Sequence, residues 1–259
     1  MSFIKTDLQK AGLWKRISAA LFDFILLAML VIGATAGLSA MFGYDGYVNE
    51  VTAAYERYSA EYNVDLDDRM TESQFSQLPE DVQERYLEAM KALNEDIGAV
   101  RAFTMARHLP LLCITFGVLF GVLLMEFAIP LMFGNGQTLG KKVFGVALMR
   151  VDGVKLTALQ LFVRTILGKF AVELMIPIFI FVNLLFFGNI SLISIAVLLL
   201  LVIGQIVCLI MTRTWSVLHD VMAGTVAVDM ASQMIFDTKE DQIEYLKKLH
   251  AQEAKEASY

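Results

Sequence analysis

Four apolar blocks, each near the length a helix needs to cross a bilayer, constrain this chain of 259 residues more than any other feature. They run from about Ile17 to Phe42, Leu109 to Phe133, Phe170 to Phe187 and Ser191 to Met211. A hydrocarbon core ~30 Å thick takes ~20 helical residues. The third block is short, and the Gly188-Asn189 break makes blocks three and four a helical hairpin. Pro177 lies inside block three, which lipid tolerates when neighbouring groups satisfy the freed carbonyl. Composition agrees: 57% of residues are hydrophobic and 19% charged, against ~45–50% and ~25% in a soluble domain. An ordinary soluble enzyme is excluded. The expected fold is an all-α membrane protein with four transmembrane helices. It carries an extracytoplasmic helical hairpin and a small cytoplasmic element, part β-like and part interfacial helix.

The boundaries follow from these blocks. Residues 1–44 hold a cytoplasmic N-terminus and the first span, and 45–107 an acidic external hairpin. Residues 108–230 hold the rest of the membrane domain, with spans near 109–133, 170–187 and 191–212 and a loop at 134–169. Residues 231–259 form a charged tail. The basic start and Ala34-Thr35-Ala36 resemble a signal peptide. Asp23 interrupts the apolar stretch, however, and the stretch continues past the supposed cut, so a retained span is expected.

Sidedness comes from the lysines and arginines. Residues 45–107 hold 14 acids and 6 bases, whereas the rest of the chain holds 13 acids and 15 bases. Those 15 bases fall in three regions. The N-terminal segment has Lys5, Lys10, Lys15 and Arg16. The loop after the second span has Lys141, Lys142, Arg150, Lys155, Arg164 and Lys169. The C-terminal segment has Arg213, Lys239, Lys247, Lys248 and Lys255. Four spans put all three regions on one side, so both termini are expected in the cytoplasm. No basic patch with interleaved aromatics suggests nucleic acid. Cys113 and Cys208 lie in apolar blocks and imply no disulfide framework. His108, His219 and His250 are far apart, and no metal or cofactor is expected.

The external segment reads as helix, turn, helix. Tyr47, Val51, Ala54, Tyr55, Tyr58 and Tyr62 make one stripe; Val82, Tyr86, Met90, Leu93, Ile97, Val100 and Phe103 make the other. Thr71 to Gln74 fits a capping box, and Pro79 suits a first helical turn. The second helix is expected to run on into the membrane, bent near Pro110. Asp65, Asp67 and Asp68 lack the glycine and terminal Glu of a calcium loop and read as a solvated turn. The hairpin is either a docking surface for a protein partner or a stabilised insertion.

Chemistry is expected where charge is expensive. A carboxylate at mid-span costs about 2.5–3.5 kcal/mol and faces protein or water. Asp23, Glu126 and Glu173 qualify, with Gln205 at similar inner depth. Arg16 and Asp23 share a helix face but stand ~10 Å apart at 1.5 Å per residue. Ala19 and Ala20 lie between them and would let another helix approach. Partners for Asp23 are sought in Arg164, Lys169 and His219. Three readings stay open: a buried ion network that fixes packing, a proton- or cation-responsive site, and protonated carboxylic acids with no charge partner.

Gly134 to Lys142 looks like a phosphate loop but lacks the Walker spacing and the Ser/Thr after the lysine. Gly134, Gly136 and Gly140 read as turn glycines, with Lys141 and Lys142 on the anionic lipid surface. Gly145 to Val151 is strand-like and could pair with Thr225 to Asp229. Thr157 can cap an interfacial helix from Ala158 to Lys169. Arg16 with Asp23, then Gly136-Gln137-Thr138-Leu139-Gly140-Lys141 with Val151-Asp152-Gly153, then Leu218 to Thr225, together resemble the RDD family of bacterial membrane proteins. The family is named for one arginine and two aspartates, and Asp220 matches the second. The resemblance covers about 12–43 and 108–230; the 45–107 hairpin exceeds the family's short loop. It implies a multi-span protein of the bacterial cytoplasmic membrane, with transport and cation/proton exchange among the proposed roles. It supplies no substrate.

Asp220 is expected to cap a turn or accept from an arginine, because adjacent helical residues such as His219 do not face it. The tail from Asp237 reads as a charged helix capped by Asp237 and Glu240, with Ile243, Leu246 and Leu249 as a thin stripe. No nucleophile–base arrangement points to an enzyme. The leading expectation is transport of a small ion or ligand, linked to protons or sodium, with Arg16, Asp23, Glu126, Glu173 and Asp220 as the polar network. Oligomerisation could supply further walls. The rival is a scaffold that docks a partner through the hairpin.

Overall fold

The computed structural model describes residues 8–67, 70–188, 190–212 and 214–256. Lys5, Asp68, Asn189 and Arg213, which entered the sequence reading, lie outside them. Four helices are long and apolar enough to cross a membrane: Leu13–Met41, Ile97–Phe133, Ala158–Leu184 and Leu192–Met211, with mean hydropathies of 2.4, 2.3, 2.0 and 3.0. These are the first to fourth spans below. The chain forms two units: one from Gly33 to Gly117, the other from the residues up to Ile32 and from Val118 onward.

In the first unit, α1 (Tyr44–Tyr62) packs with α2 (Glu80–Glu95). Val64, Leu66 and Ala89 are buried there among Tyr55, Tyr58, Tyr62, Val82, Tyr86 and Met90. The two predicted stripes thus meet. The capping box at Thr71 is formed, with Gln74 answering it, and Pro79 precedes α2. The expected run-on into the second span does not occur. Asp96 is extended and ends α2, and its Oδ1 accepts the N–H groups of Gly98 (2.8 Å) and Ala99 (3.2 Å) to start the next helix. Arg57 and Tyr58 donate to the same carboxylate. That second helix passes through Pro110 as one helix.

In the other unit, β1 (Val146–Arg150) pairs antiparallel with β2 (Thr225–Asp229), Leu148 opposite Ala227. The expected pairing is therefore present. Both faces are buried: Val146, Leu148 and Ala227 pack with Ala11, while Ala147, Met149, Val226 and Val228 pack with Leu8 and Ile235. The chain entering the first span joins the edge, where the Asp229 N–H donates to the Gln9 carbonyl at 3.0 Å.

Two helices differ from expectation. Ala158 to Lys169 is not a separate interfacial helix. It is capped by Thr157 as read from the sequence, with Gln160 completing the capping box, but runs unbroken through Val163–Met175 into Ile176–Phe187. The tail helix, α3 (Lys239–Glu256), is capped by Thr238 and Asp241 instead of Asp237 and Glu240. Asp237 pairs instead with Lys155 at 2.5 Å. The tail also docks: Gln242 is buried and donates to the Asp152 carbonyl at 3.0 Å.

Candidate functional site

The site begins with two departures from α geometry. Leu123–Ala128 in the second span and Val163–Met175 in the third are π-helical. In an α-helix a proline leaves the carbonyl four residues back without its donor. Pro130 does this to Glu126, and Pro177 to Glu173. The Glu126 carbonyl accepts the Thr165 hydroxyl at 3.0 Å. The repeated Glu-x-x-x-Pro is the sequence signal that could have revealed both segments.

The π winding also aligns charges. In an α-helix, at 3.6 residues per turn, Lys169 and Glu173 would lie about 140° and 180° around from Arg164. With i→i+5 bonds and about 4.4 residues per turn, all three fall within ~50°. Gly168 shares this face, and a Cβ there would sit 2.6 Å from that of His219. The short helix Leu218–Ala223 can therefore lie against the third span.

Asp23 does not pair with Arg164, Lys169 or His219. Its Oδ1 accepts the Gly140 N–H at 2.7 Å, and its Oδ2 accepts the Thr138 hydroxyl. The small residue that admits this approach is Ala19, and what approaches is the first turn of Leu139–Val143. A Cβ on Gly140 would lie 2.4 Å from the Ala19 carbonyl oxygen. Gly140 therefore serves close approach, whereas Gly136, at φ 61°, serves a turn. Gln137 is buried and donates to the Val146 carbonyl at 2.8 Å, tying the loop to β1.

Lys141 departs from its expected place on the lipid surface. It turns inward, 3.1 Å from the Thr138 hydroxyl, 3.8 Å from Asp23 and 4.0 Å from Glu126. Burial pushes its ammonium down to about 8. Lys142 stands over the Phe133 ring. Lys169 is the close partner of Glu126, at 2.6 Å.

Arg164 organises the other end. Its Nε donates to Asp220 Oδ1 at 2.8 Å, and its Nη2 lies 3.0 Å from His219 Nε2. A guanidinium only donates, so Nε2 must accept. The neutral ring then carries its proton on Nδ1, which donates to Glu173 at 2.8 Å. Burial, then the Arg164 charge, holds the His219 pKa below its usual value. Burial works against ionised Asp220, but the Arg164 charge, with hydrogen bonds from Arg164 and Thr225, outweighs it and holds the carboxyl below the carboxylate range. Thr225 donates to Asp220 at 2.9 Å, and Arg16 stands 3.9 Å away. Gln205 bridges Glu173 (2.6 Å) and the Leu218 N–H (3.1 Å).

Arg16, Asp23 and Asp220 occupy the positions that carry the resemblance noted above, and a model of the RDD family matches residues 10–224. The chain belongs to the RDD family. No curated protein and no solved structure matches it. In this RDD membrane protein the arginine and the second aspartate face each other, while the first aspartate holds the glycine loop. All three line one cavity of about 590 Å³, together with Glu126, Lys141, Arg164, Lys169, Glu173 and His219. Sequence reasoning found the acids and Arg16. It named Arg164, Lys169 and His219 only as partners for Asp23, because the α period scatters them. Among the described residues, no group of three or more His, Cys, Asp or Glu side chains is placed to hold a metal.

Proposed function

We propose that this RDD protein moves a small ion or solute across the bacterial cytoplasmic membrane, in proton- or sodium-linked exchange, with the charged cavity as its binding site. The observation that carries the reading is the cavity itself: about 590 Å³ lined by nine ionisable side chains, within the usual ~300–1,000 Å³ of ligand sites. Ionisable groups at membrane depth are costly and are kept where they meet protein or an aqueous path. The lysine and arginine distribution supports both termini in the cytoplasm, and a second copy of the chain could supply further walls. The protein is read as a carrier and not an enzyme.

A second reading has an observation of its own. The four acids of the cavity all have cationic or imidazole partners, which suits a network that only fixes helix packing. The protein would then be a scaffold that docks a partner through the 45–107 hairpin. Flux separates the two. Reconstituted protein under an imposed proton or sodium gradient is expected to conduct exchange, and Asp23→Asn to lose it or shift its pH dependence while remaining folded. No flux from folded, inserted wild type overturns the carrier reading.

A further inference from the structure

Two groups on the cavity wall are less satisfied than their neighbours. Glu126 is 5% exposed, and its Oε2 has no hydrogen-bond partner among the described residues; Lys169 bonds the other oxygen, and Lys141 stands 4.0 Å from Oε2. Arg16 reaches no closer than 3.9 Å to Asp220, beyond hydrogen-bond distance, and its guanidinium makes no side-chain hydrogen bond among the described residues. A buried carboxylate oxygen without a donor is costly. A guanidinium offers a planar fork of donors suited to a carboxylate or phosphate.

The rest of the wall limits the charge a ligand can bring. Arg16, Lys141, Arg164 and Lys169 balance Asp23, Glu126, Glu173 and Asp220, and His219 is neutral by its hydrogen bonds. A ligand of net charge would leave an uncompensated charge in a low-dielectric site. A ligand carrying one charge of each sign would not. The remaining wall includes Phe24, Leu27, Leu174 and Leu209.

We propose that the cavity takes a zwitterion, its anionic group on Arg16, its ammonium on Glu126 Oε2, and its apolar body against Phe24, Leu27, Leu174 and Leu209. This rests on reading the cavity as a solute site and names the solute's chemistry. A free amino-acid-like solute and a zwitterionic lipid headgroup both carry it.

The test is calorimetric titration of the full chain in phosphatidylglycerol nanodiscs. Leucine, isovalerate and isoamylamine share an apolar body but bear both groups, only the carboxylate, or only the ammonium. Leucine is expected to bind at least about tenfold more tightly than either. Glu126→Gln should reduce leucine to the affinity of isovalerate, and Arg16→Lys should weaken leucine with isoamylamine unchanged. If the lipid headgroup is the source, phosphatidylethanolamine nanodiscs should abolish leucine binding, and soluble glycerophosphoethanolamine, a phosphodiester of zero net charge, should compete in phosphatidylglycerol. The proposal is overturned if isovalerate or isoamylamine binds wild type as tightly as leucine, or if neither leucine nor glycerophosphoethanolamine binds. Zwitterion binding without flux sinks the transport reading alone; flux without zwitterion binding sinks this one alone.

Discussion

Gly140 is where a single methyl group decides whether the central loop can reach the first span. Its N–H meets Asp23 because nothing stands between the backbone and Ala19. Gly140→Ala should push the loop outward and lower stability by about 1–3 kcal/mol, as overpacking does, read as a lower thermal midpoint in detergent. His219 gives a pH signature. Its folded pKa lies below the unfolded value near 6.5, so the unfolded chain binds the proton first. Stability is therefore expected to fall as pH drops through 6.5. His219→Asn can keep a donor to Glu173 and removes the titrating ring, and should flatten that slope in melts from pH 7 to 5. The costly acids were legible in the sequence, since charge inside an apolar block stands out. Their partners were not, because Lys141 reads equally well as a lipid anchor until the loop is folded inward.

The π segment Val163–Met175 is the element that turns a scattered set of charges into a face. Pro177→Ala gives the Glu173 carbonyl back its α donor, and α winding of the segment should swing Lys169 and Glu173 by about 90° and 160° relative to Arg164. Loss of their contacts with Glu126 and His219 is expected to cost about 3–5 kcal/mol, the scale for stranding one member of a buried pair. An unchanged melting point would show that the winding does not position them. The β1–β2 pairing and the Thr71 and Thr157 caps were readable because their signals are local. The end of α2 was not. Asp96 stops that helix with a side chain that also serves Arg57 and Tyr58, far away in sequence. Asp96→Ala should raise amide exchange at Gly98 and Ala99, which lose their acceptor.

At the scale of the molecule, four apolar helices and a family match over residues 10–224 make this an RDD membrane protein. Hydropathy alone carried the spans, since length and apolarity are properties of contiguous sequence. The cavity was not visible that way. Its wall draws on all four spans, the glycine loop and the short helix before β2, and only folding brings them together. As the proposed solute site, this cavity would be reached from the side that holds the termini. The most direct measurement is side-specific thiol labelling of Ala20→Cys, a wall position that is exposed. Cys113 and Cys208 would be replaced by serine, and a membrane-impermeant charged reagent added to vesicles of either orientation. Labelling is expected from the cytoplasmic face alone, with flux lost once the thiol is modified. Labelling from neither face, or modification that leaves flux intact, would contradict it.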